Sequence, residues 1–247
     1  MNVITATGFD REALRGKASL IGIELSDNMC AKFADYYRLL ISWNEKMNLT
    51  SITDPDEVIN KHFIDSLALV KSSSFRGDLS MIDVGTGAGF PGIPLKIVFP
   101  ALRITLADSL RKRISFLEEA IKVLGLNGAD AVHSRAEDLG RSKEYREKYD
   151  CAVSRAVARL NVLAEYNLPL VKPGGCFFAM KGADVQDELS ESVAATVRLG
   201  ASKDPELAVY SLPGTDYGRS IVTFKKIKNT PAFYPRKAGV PSKKPLV

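Results

Sequence analysis

The amino-acid sequence predicts an α/β protein with a seven-stranded, mostly parallel sheet and helices on both faces. From residue 81 onward, short apolar runs alternate with helical periodicity, which is typical of βαβ units. A glycine-rich turn directly follows the first apolar run, where open α/β sheets carry their first strand-to-helix turn. Two later apolar runs flank the turn-rich segment "LPGTDYGRS", which predicts that the sheet finishes with an antiparallel strand.

The N-terminal part of the chain is predicted to be helical. Apolar residues recur at helical spacing across residues 25–50, and Ser26 or Asp27 could cap the start of this helix. A second helix is predicted to follow Asp54, which is a suitable N-cap, with Glu57 at the position that a capping box requires. These two helices would form an extension ahead of the sheet.

The remaining elements follow from the same periodicities. Strands are predicted at residues 81–84, 103–107, 130–133, 150–154, 175–180, 206–212 and 219–227. Helices are predicted at residues 91–98, 109–124, 157–170 and 183–198. We therefore divide the chain into a helical extension (1–75), a sheet domain (76–228) and a proline-containing tail (229–247), with a loop near 71–78 at the first boundary.

Composition limits the class of protein. The chain has 247 residues, 45% of them hydrophobic and 26% charged, as in ordinary globular proteins. No apolar run approaches the roughly 20 residues needed to cross a bilayer, so no membrane association is expected. Three scattered cysteines argue against a disulfide scaffold and favour a reducing, cytoplasmic location. Nothing in the sequence demands a partner chain, and we expect a monomer.

Positive charge is concentrated at the C-terminus. Residues 225–247 contain seven lysines and arginines and no acid, whereas the whole chain has a net charge of +5. The rest of the chain therefore carries −2. A basic tail on a nearly neutral body suggests a polyanionic partner, although a solvated tail is an equally reasonable interpretation. The four prolines of the tail are expected to keep it extended.

The glycine-rich turn lies within "MIDVGTGAGFPGIPL", residues 81–95. Glycines without side chains let a ligand approach the main chain closely. Gly87, Gly89 and Gly92 match the dinucleotide pattern Gly-x-Gly-x-x-Gly, but the first strand would then have to extend to Thr86. A more natural register begins with Gly85 and departs from that pattern. The lysine-containing phosphate loop of nucleoside triphosphatases is absent from the sequence.

Two acids indicate which ligand the turn binds. Asp83 precedes the glycines by two residues, which suits a cationic group better than a pyrophosphate. Asp108 ends the second predicted strand, where an acid can accept hydrogen bonds from ribose hydroxyls, although it could also cap the next helix. Together with Gly85 and Gly87, these acids describe a site for an adenosine that carries positive charge. S-adenosylmethionine fits, and the arrangement resembles the class I methyltransferase fold.

The sequence offers no obvious nucleophile, general base or metal-ligating cluster. The segment "SRAVA" (154–158) stands where exocyclic-amine methyltransferases carry Asn/Asp-Pro-Pro-Tyr/Phe. Cys151 and Cys176 fall in strand-like runs and are expected to be buried structural residues. His62 and His133 are isolated. We therefore predict no catalytic side chain and no metal, which suits guanine N7 as acceptor because it has a free lone pair and no proton to remove.

Several segments carry a more specific resemblance. They are "NEKMNLTSI" (44–52), "HFIDSL" (62–67), "DVGTGAGFPGIPLKI" (83–97), "DSLRKRISFL" (108–117), "RAED" (135–138), "SRAVA" (154–158) and "YPRKAGVPSKKPL" (234–246). In these segments, spread over nearly the whole chain, the sequence resembles the RsmG family, also called GidB, of bacterial small-subunit rRNA guanine-N7 methyltransferases.

The resemblance implies methylation of N7 of a guanine in 16S rRNA, with either 16S rRNA or the 30S ribosomal particle as partner. It also implies cofactor contacts at Gly85, Phe90, Asp108, Ser109, Ala136, Glu137 and Arg155. Glu137 has the alternative role of a helix-capping or solvated acid. Arg155 is placed to hold the cofactor carboxylate or the guanine O6, or to form an ordinary ion pair.

RNA contacts are expected from basic residues. Candidates near the cofactor are Arg111, Lys112 and Arg113, with Arg219 near the last strands and the tail lysines as a group. Asn48 and His62 are further candidates that could face the site. Two rival functions are a nicotinamide- or flavin-binding oxidoreductase, which would bind a dinucleotide, and a non-catalytic rRNA-binding factor, which would bind RNA without transferring a methyl group.

Overall fold

A computed structural model describes residues 8–155 and 158–247 of the chain. The strands are β1 (Ser80–Val84), β2 (Arg103–Asp108), β3 (Ala129–His133), β4 (Tyr149–Arg155), β5 (Val171–Gly182), β6 (Glu206–Ser211) and β7 (Gly218–Lys225). The helices are α1 (Arg11–Ser19), α2 (Asp27–Asn44), α3 (Pro55–Val58), α4 (Asp65–Leu67), α5 (Gly92–Val98), α6 (Arg111–Val123), α7 (Ala136–Arg141), α8 (Leu160–Asn167), α9 (Gln186–Arg198) and α10 (Val240–Lys243). A π-helical turn (Ile59–Ile64) joins α3 to α4, and 3-10 turns (Ala68–Lys71, Leu168–Leu170) follow α4 and α8.

The predicted seven-stranded α/β sheet is confirmed, with strand order β3-β2-β1-β4-β5-β7-β6. Strands β1 to β5 pair in parallel, and β7 runs antiparallel to both β5 and β6. An antiparallel strand near the end of the chain was predicted and is found as β7. It lies between β5 and β6, inside the sheet rather than at its edge. The connection through α9 places β6 one position away from β5, and the hairpin then returns β7 into the gap.

Helices cover both faces of the sheet, and alternate residues of β1 belong to two buried clusters. Met81 packs with residues of α1, α2, α5 and α6, whereas Ile82 and Val84 pack with residues of α8 and α9. This alternation is the period of two expected for a strand covered on both sides. The N-terminal helices therefore share one core with the first half of the sheet.

The N-terminal helices differ in detail from the prediction. Helix α2 ends at Asn44, short of residue 50, because the Asn44 side chain accepts hydrogen bonds from the backbone of Leu49 (2.8 Å) and Thr50 (3.0 Å) and holds a turn there. Helices α1 and α7 were not predicted. The predicted cap at Asp54 is confirmed by its 3.0 Å bond from the Glu57 backbone N–H.

The two other predicted capping residues behave differently from each other. Ser26 accepts a 3.3 Å hydrogen bond from the backbone of Met29, so it caps α2. The Glu57 side chain pairs instead with Lys61 at 2.6 Å, so its predicted part in a capping box was wrong. In the described residues, no helix combines the length and the apolar character that crossing a membrane requires.

The C-terminal tail packs on the fold. Arg236 makes a double hydrogen bond to the fully buried carboxylate of Glu165 in α8, with distances of 2.6 and 2.9 Å. The Leu246 side chain is buried, and its carbonyl accepts a 3.0 Å bond from Asn161. Just before the tail, the fully buried Lys226 pairs with Glu147 at 3.2 Å. The alternative interpretation of a freely solvated tail is therefore wrong, because hydrogen bonds to α8 hold Arg236 and Leu246 against the rest of the fold.

Candidate cofactor and substrate site

A cavity of about 590 Å³ opens where β1, β2 and β3 end. This first cavity contains eight of the nine predicted cofactor residues, namely Gly85, Gly87, Phe90, Asp108, Ser109, Ala136, Glu137 and Arg155. Its other walls come from Leu49, Thr50, His62, Val84, Thr86, Ala88, Ala107, Arg113, Ser134, Arg135, Leu139, Tyr166, Gly239 and Ser242. The structure thus brings residues from the whole length of the chain to the predicted end of the sheet.

The glycine turn forms the floor of the first cavity. Strand β1 ends at Val84, so the register that begins with Gly85 is the observed one. Gly85, Gly87 and Gly89 all have positive φ angles, of 73°, 63° and 93°, which glycine adopts without strain. A Cβ atom added at Gly87 would meet no atom within 4 Å, so this position leaves open space for a ligand.

Asp83 lies beneath the turn and does not line the cavity. It is fully buried, and its Oδ2 accepts hydrogen bonds from the Thr86 hydroxyl (2.6 Å) and the Gly92 backbone N–H (2.9 Å). Its Oδ1 has no partner within the described ranges. Burial raises the pKa of Asp83 to about 6, although the two hydrogen bonds oppose this shift. Asp83 therefore fixes the turn from below and supplies negative charge behind it.

Close packing of the turn also explains Gly92. A Cβ atom at this position would lie 2.3 Å from Leu106 Cδ2 and 2.9 Å from Asp83 Oδ2, so no larger residue fits. From the other side, the buried Tyr36 of α2 donates its hydroxyl to the Ala88 carbonyl. The N-terminal helices thereby help to hold the glycine turn in place.

Asp108 lies at the end of β2 and faces the first cavity. Its Oδ2 accepts from the Gly87 backbone N–H (3.0 Å) and from Arg113 Nη1 (3.2 Å), and its Oδ1 accepts from the Leu110 backbone N–H (2.9 Å). The predicted alternative role of Asp108 as the N-cap of the next helix is wrong, because Leu110 holds that position and no side-chain hydrogen bond caps the helix there. The Asp108 carboxylate forms part of the cavity wall.

On the opposite side, Ala136 and Glu137 open helix α7. Glu137 is buried, and its Oε1 accepts a 2.8 Å hydrogen bond from the Gly239 backbone N–H. Gly239 and Ser242 of the tail, with Tyr166 of α8, complete this wall. Sequence reasoning missed all three, because their place at the site depends on the packing of the tail.

Phe90, His62 and Arg155 form a stack at one end of the first cavity. The imidazole of His62 lies over the Phe90 ring with centroids 4.4 Å apart, and the Arg155 guanidinium lies 5.1 Å from the same ring. Thr50 hydrogen-bonds to His62 Nε2 at 2.8 Å. Burial, helped by the nearby Arg155 charge, lowers the pKa of His62 to about 3, so the imidazole is neutral near pH 7.

A second cavity of about 430 Å³ adjoins the first, since His62 and Arg155 line both. Its remaining walls are Ile52, Lys61, Asp65, Met180, Lys181, Gly182 and Arg219. The buried Asp65 carboxylate binds Arg155 and Arg219, each at 3.1 Å. Lys61, Asp65 and Lys181 were not singled out from the sequence, although Asp65 lies within the quoted segment "HFIDSL".

Other sequence candidates lie elsewhere. Asn48 is exposed and is not part of either cavity wall. Arg111 and Lys112 are exposed at the start of α6, whereas Arg113 pairs with Asp108.

Burial raises the pKa of the Cys151 thiol well above its usual value, which is consistent with a structural cysteine. Within "SRAVA", residues 156 and 157 lie outside the described residues.

Known proteins resemble the chain in sequence along almost all of its length. The GidB family model, described as rRNA small subunit methyltransferase G, matches residues 29–205. Among proteins named ribosomal RNA small subunit methyltransferase G, that of Alkaliphilus oremlandii is 50% identical over 96% of this chain and 98% of its own length. That of Desulforamulus reducens is 48% identical over the full length of both chains.

Solved structures support the fold. A SAM-dependent methyltransferase from Aquifex aeolicus superposes with a TM-score of 0.50 and 16% identity, covering 74% of this chain and 97% of the other. A protein described as a predicted O-methyltransferase from Agrobacterium tumefaciens gives a TM-score of 0.51 and 17% identity, covering 65% of this chain and 79% of the other. At these identities the likeness establishes the class I methyltransferase fold and nothing finer.

Proposed function

The chain belongs to the rRNA small subunit methyltransferase G family, and from this membership we propose that it methylates N7 of one guanine in 16S rRNA. Family membership makes the protein an rRNA methyltransferase, and its fold and family imply S-adenosylmethionine as methyl donor. The position of the methyl group is our further step. The observation that supports N7 as the acceptor concerns the two adjoining cavities. Each acid among their described residues already accepts hydrogen bonds from the protein, and the one imidazole, that of His62, is too weak a base.

The first cavity suits S-adenosylmethionine. Gly87 leaves room for a ligand against the main chain, and Asp108 presents a carboxylate where ribose hydroxyls are expected. The buried Asp83 places negative charge beneath the turn, which favours a ligand with an ammonium and a sulfonium group. Ala136 and Glu137 would meet the adenine ring on the opposite wall. We therefore assign the cofactor to this cavity.

The second cavity suits the target base. Four basic residues, Lys61, Arg155, Lys181 and Arg219, line it, and guanine O6 and the RNA phosphates are acceptors for such groups. Because Arg155 lines both cavities, its guanidinium lies where the methyl donor and the base would meet. A guanine that enters here must leave its helix or loop, as bases do in other enzymes that modify them.

When bound, S-adenosylmethionine supplies an electrophilic methyl group, whose carbon bonds to the guanine N7 lone pair as the carbon–sulfur electron pair stays on sulfur. No proton leaves the base, so the protein needs no general base. His62, with a pKa of about 3, is too weakly basic for that role near pH 7. The contribution of the chain is to hold both reactants in line, and positioning of this kind can supply several kcal/mol.

The test is to identify the methylated nucleoside. Purified protein and methyl-labelled S-adenosylmethionine would be incubated in one reaction with 16S rRNA and in a second reaction with 30S particles. Both substrates would come from a strain lacking the corresponding gene. Digestion and mass spectrometry should find 7-methylguanosine at a single position. Label in any other nucleoside would overturn the N7 assignment, and tight RNA binding without label would favour the non-catalytic binding factor. Comparison of the two substrates would show which form of the rRNA is used.

A separate measurement tests whether the protein binds an S-adenosyl cofactor or a dinucleotide. S-adenosylhomocysteine should raise the melting temperature, because it binds the folded state and not the unfolded chain. NADH should leave the melting temperature unchanged. A shift with NADH alone would support the oxidoreductase alternative.

A further inference from the structure

Asp65 joins two arginines that come from distant parts of the chain. Its Oδ2 lies 3.1 Å from Arg155 Nη1 at the end of β4, and its Oδ1 lies 3.1 Å from Arg219 Nε in β7. Asp65 is only 5% exposed, and both guanidinium groups line the second cavity. One carboxylate thus fixes the relative position of two cations at the place assigned to the target base.

Each guanidinium keeps hydrogen-bonding capacity after these contacts. Arg219 uses Nε for Asp65 and Nη1 for the Gly218 carbonyl (3.1 Å). Arg155 directs Nη1 to Asp65 and, more weakly, to the carbonyls of Lys61 (3.3 Å) and His62 (3.4 Å). Among the described residues, neither Nη2 group has an acceptor. A guanidinium held on one side and free on the other is well suited to bind an acceptor group of fixed position.

Stability alone is a weak explanation for this arrangement. The Asp65 carboxylate loses most of its contact with water when it pairs with the two partly exposed guanidinium groups, and apolar residues of similar volume are often as stable as such a pair. The neighbourhood is also strongly polar: the partly buried Tyr210 lies opposite Arg219 in the β6–β7 pair, and its buried hydroxyl has no partner in the described part of the chain. A positioning role would account for the retention of charge here.

We propose that Asp65 is a positioning residue that orients Arg155 and Arg219, so that their free N–H groups bind O6 of the target guanine and leave the N7 lone pair free. It acts through the two arginines and does not touch the reacting atoms. This inference rests on the proposed function of the second cavity. The guanine becomes cationic when it is methylated, so excess positive charge in the wall of the second cavity would be unfavourable. Asp65 reduces that charge because it neutralises one of the two guanidinium groups.

The experiment is a double-mutant cycle of Asp65→Asn and Arg219→Gln on rRNA methylation. Asp65→Asn should lower kcat by about 10²-fold, since a misplacement of about 1 Å has effects of that size. Affinity for S-adenosylhomocysteine should change less than about threefold. Because Asp65 acts in part through Arg219, the double variant should lose clearly less kcat than the product of the two single losses, whereas independent effects would multiply.

Asp150→Asn is the matched control. Asp150 is a structural carboxylate at the opposite end of β4, where it bonds to the Ser80 backbone and hydroxyl. This variant should lower the melting temperature and leave kcat within about threefold of the wild type. If Asp65→Asn also kept kcat within that range, or if the effects in the cycle multiplied, the proposal would be overturned.

Arg219→Lys covers the possibility that Asp65→Asn does not fold. Lysine keeps the charge but lacks the planar guanidinium that Asp65 orients, so kcat should again fall strongly. Wild-type kcat in this variant would contradict the proposal. Failure of the proposed function is distinguishable, because the wild-type protein itself would then form no 7-methylguanosine.

Discussion

Gly239 in the C-terminal tail donates its backbone N–H to Glu137 Oε1 at 2.8 Å, across a separation of 102 residues. This bond joins the basic tail to the wall of the first cavity. The tail is therefore a structural part of the predicted cofactor site as well as a carrier of positive charge. Removing residues 225–247 should weaken both cofactor and RNA binding, so the two functions of the tail must be separated by point variants.

The first prediction concerns the attachment of the tail. Arg236→Leu should lower the free energy of unfolding by about 3–5 kcal/mol, because it removes the guanidinium that balances the charge of the fully buried Glu165 carboxylate. Urea denaturation would measure the loss. Adding Glu165→Gln should restore more than half of it, since the neutral amide can still accept from the backbone of residue 236. Lys237→Ala, an exposed neighbour, is the control, and an equal loss there would contradict the assignment.

The second prediction concerns the tail lysines. Of the seven basic residues counted from the sequence, Lys225, Lys226 and Arg236 pair with acids. Four exposed lysines remain, namely Lys228, Lys237, Lys243 and Lys244. Changing all four to glutamine should weaken RNA binding and make the salt dependence shallower, by about 0.7–0.9 for each phosphate that is no longer neutralised.

Binding of S-adenosylhomocysteine should be unchanged in the same variant, because none of these four side chains lines the first cavity. Filter binding at several salt concentrations and calorimetry would provide the two measurements. An unchanged salt slope would show that the tail lysines do not contact RNA.

The third prediction concerns Gly87. Gly87→Ala should reduce affinity for S-adenosylhomocysteine by about 10-fold or more, because the new methyl group would occupy space left open for the ligand. Gly125→Ala is a close control, since Gly125 has a φ of 58° against 63° for Gly87 and is equally open. Both variants should lose about 1–2 kcal/mol of stability through backbone strain. Equal effects on affinity would contradict the cavity assignment.

The fourth prediction concerns pH. The pKa of Asp83 is about 6 in the folded protein against an ordinary value of 3.8, so the folded state favours the protonated form. This contribution to stability is fully present below pH 3.8 and is lost as the pH rises through 6, with a total of about 3 kcal/mol. Asp83→Asn stays neutral, so its melting temperature relative to the wild type should rise between pH 4 and pH 7.

Cofactor binding should show the opposite dependence. The ionised carboxylate attracts the sulfonium and ammonium groups of S-adenosylmethionine, so wild-type affinity for S-adenosylmethionine should increase as the pH rises through 6. Asp83→Asn should bind more weakly above that pH and lack the increase. Calorimetry at pH 5 and pH 8 would check both statements, and a parallel increase in the variant would assign the effect to another group.

The parts of the structure that the sequence predicted are those with local determinants. Strand positions followed from apolar runs of fixed length, and the first cavity followed from the glycine turn and from Asp108 at the end of β2. The resemblance added Glu137 and Arg155, which also line that cavity. Asp83 was expected to face the ligand, but its hydrogen bonds to Thr86 and Gly92 hold its side chain beneath the glycine-rich loop.

The parts that were missed depend on contacts between distant residues. The pairing of Arg236 with Glu165 spans 71 residues, and that of Arg219 with Asp65 spans 154. Neither periodicity nor the spacing of nearby residues predicts pairs that are so far apart in the sequence. Helix α2 illustrates a smaller failure, since the apolar pattern continues past Asn44 while the side chain of that residue stops the helix.

The bond between Gly239 and Glu137 also has a consequence for biosynthesis. Gly239 is translated after all seven strands, so the wall that meets Glu137 is assembled only when the rest of the sheet has already left the ribosome. Until the tail emerges from the exit tunnel, the growing polypeptide would expose Glu165 without Arg236 and lack one wall of the first cavity. The first cavity would thus be completed only after all seven strands have emerged.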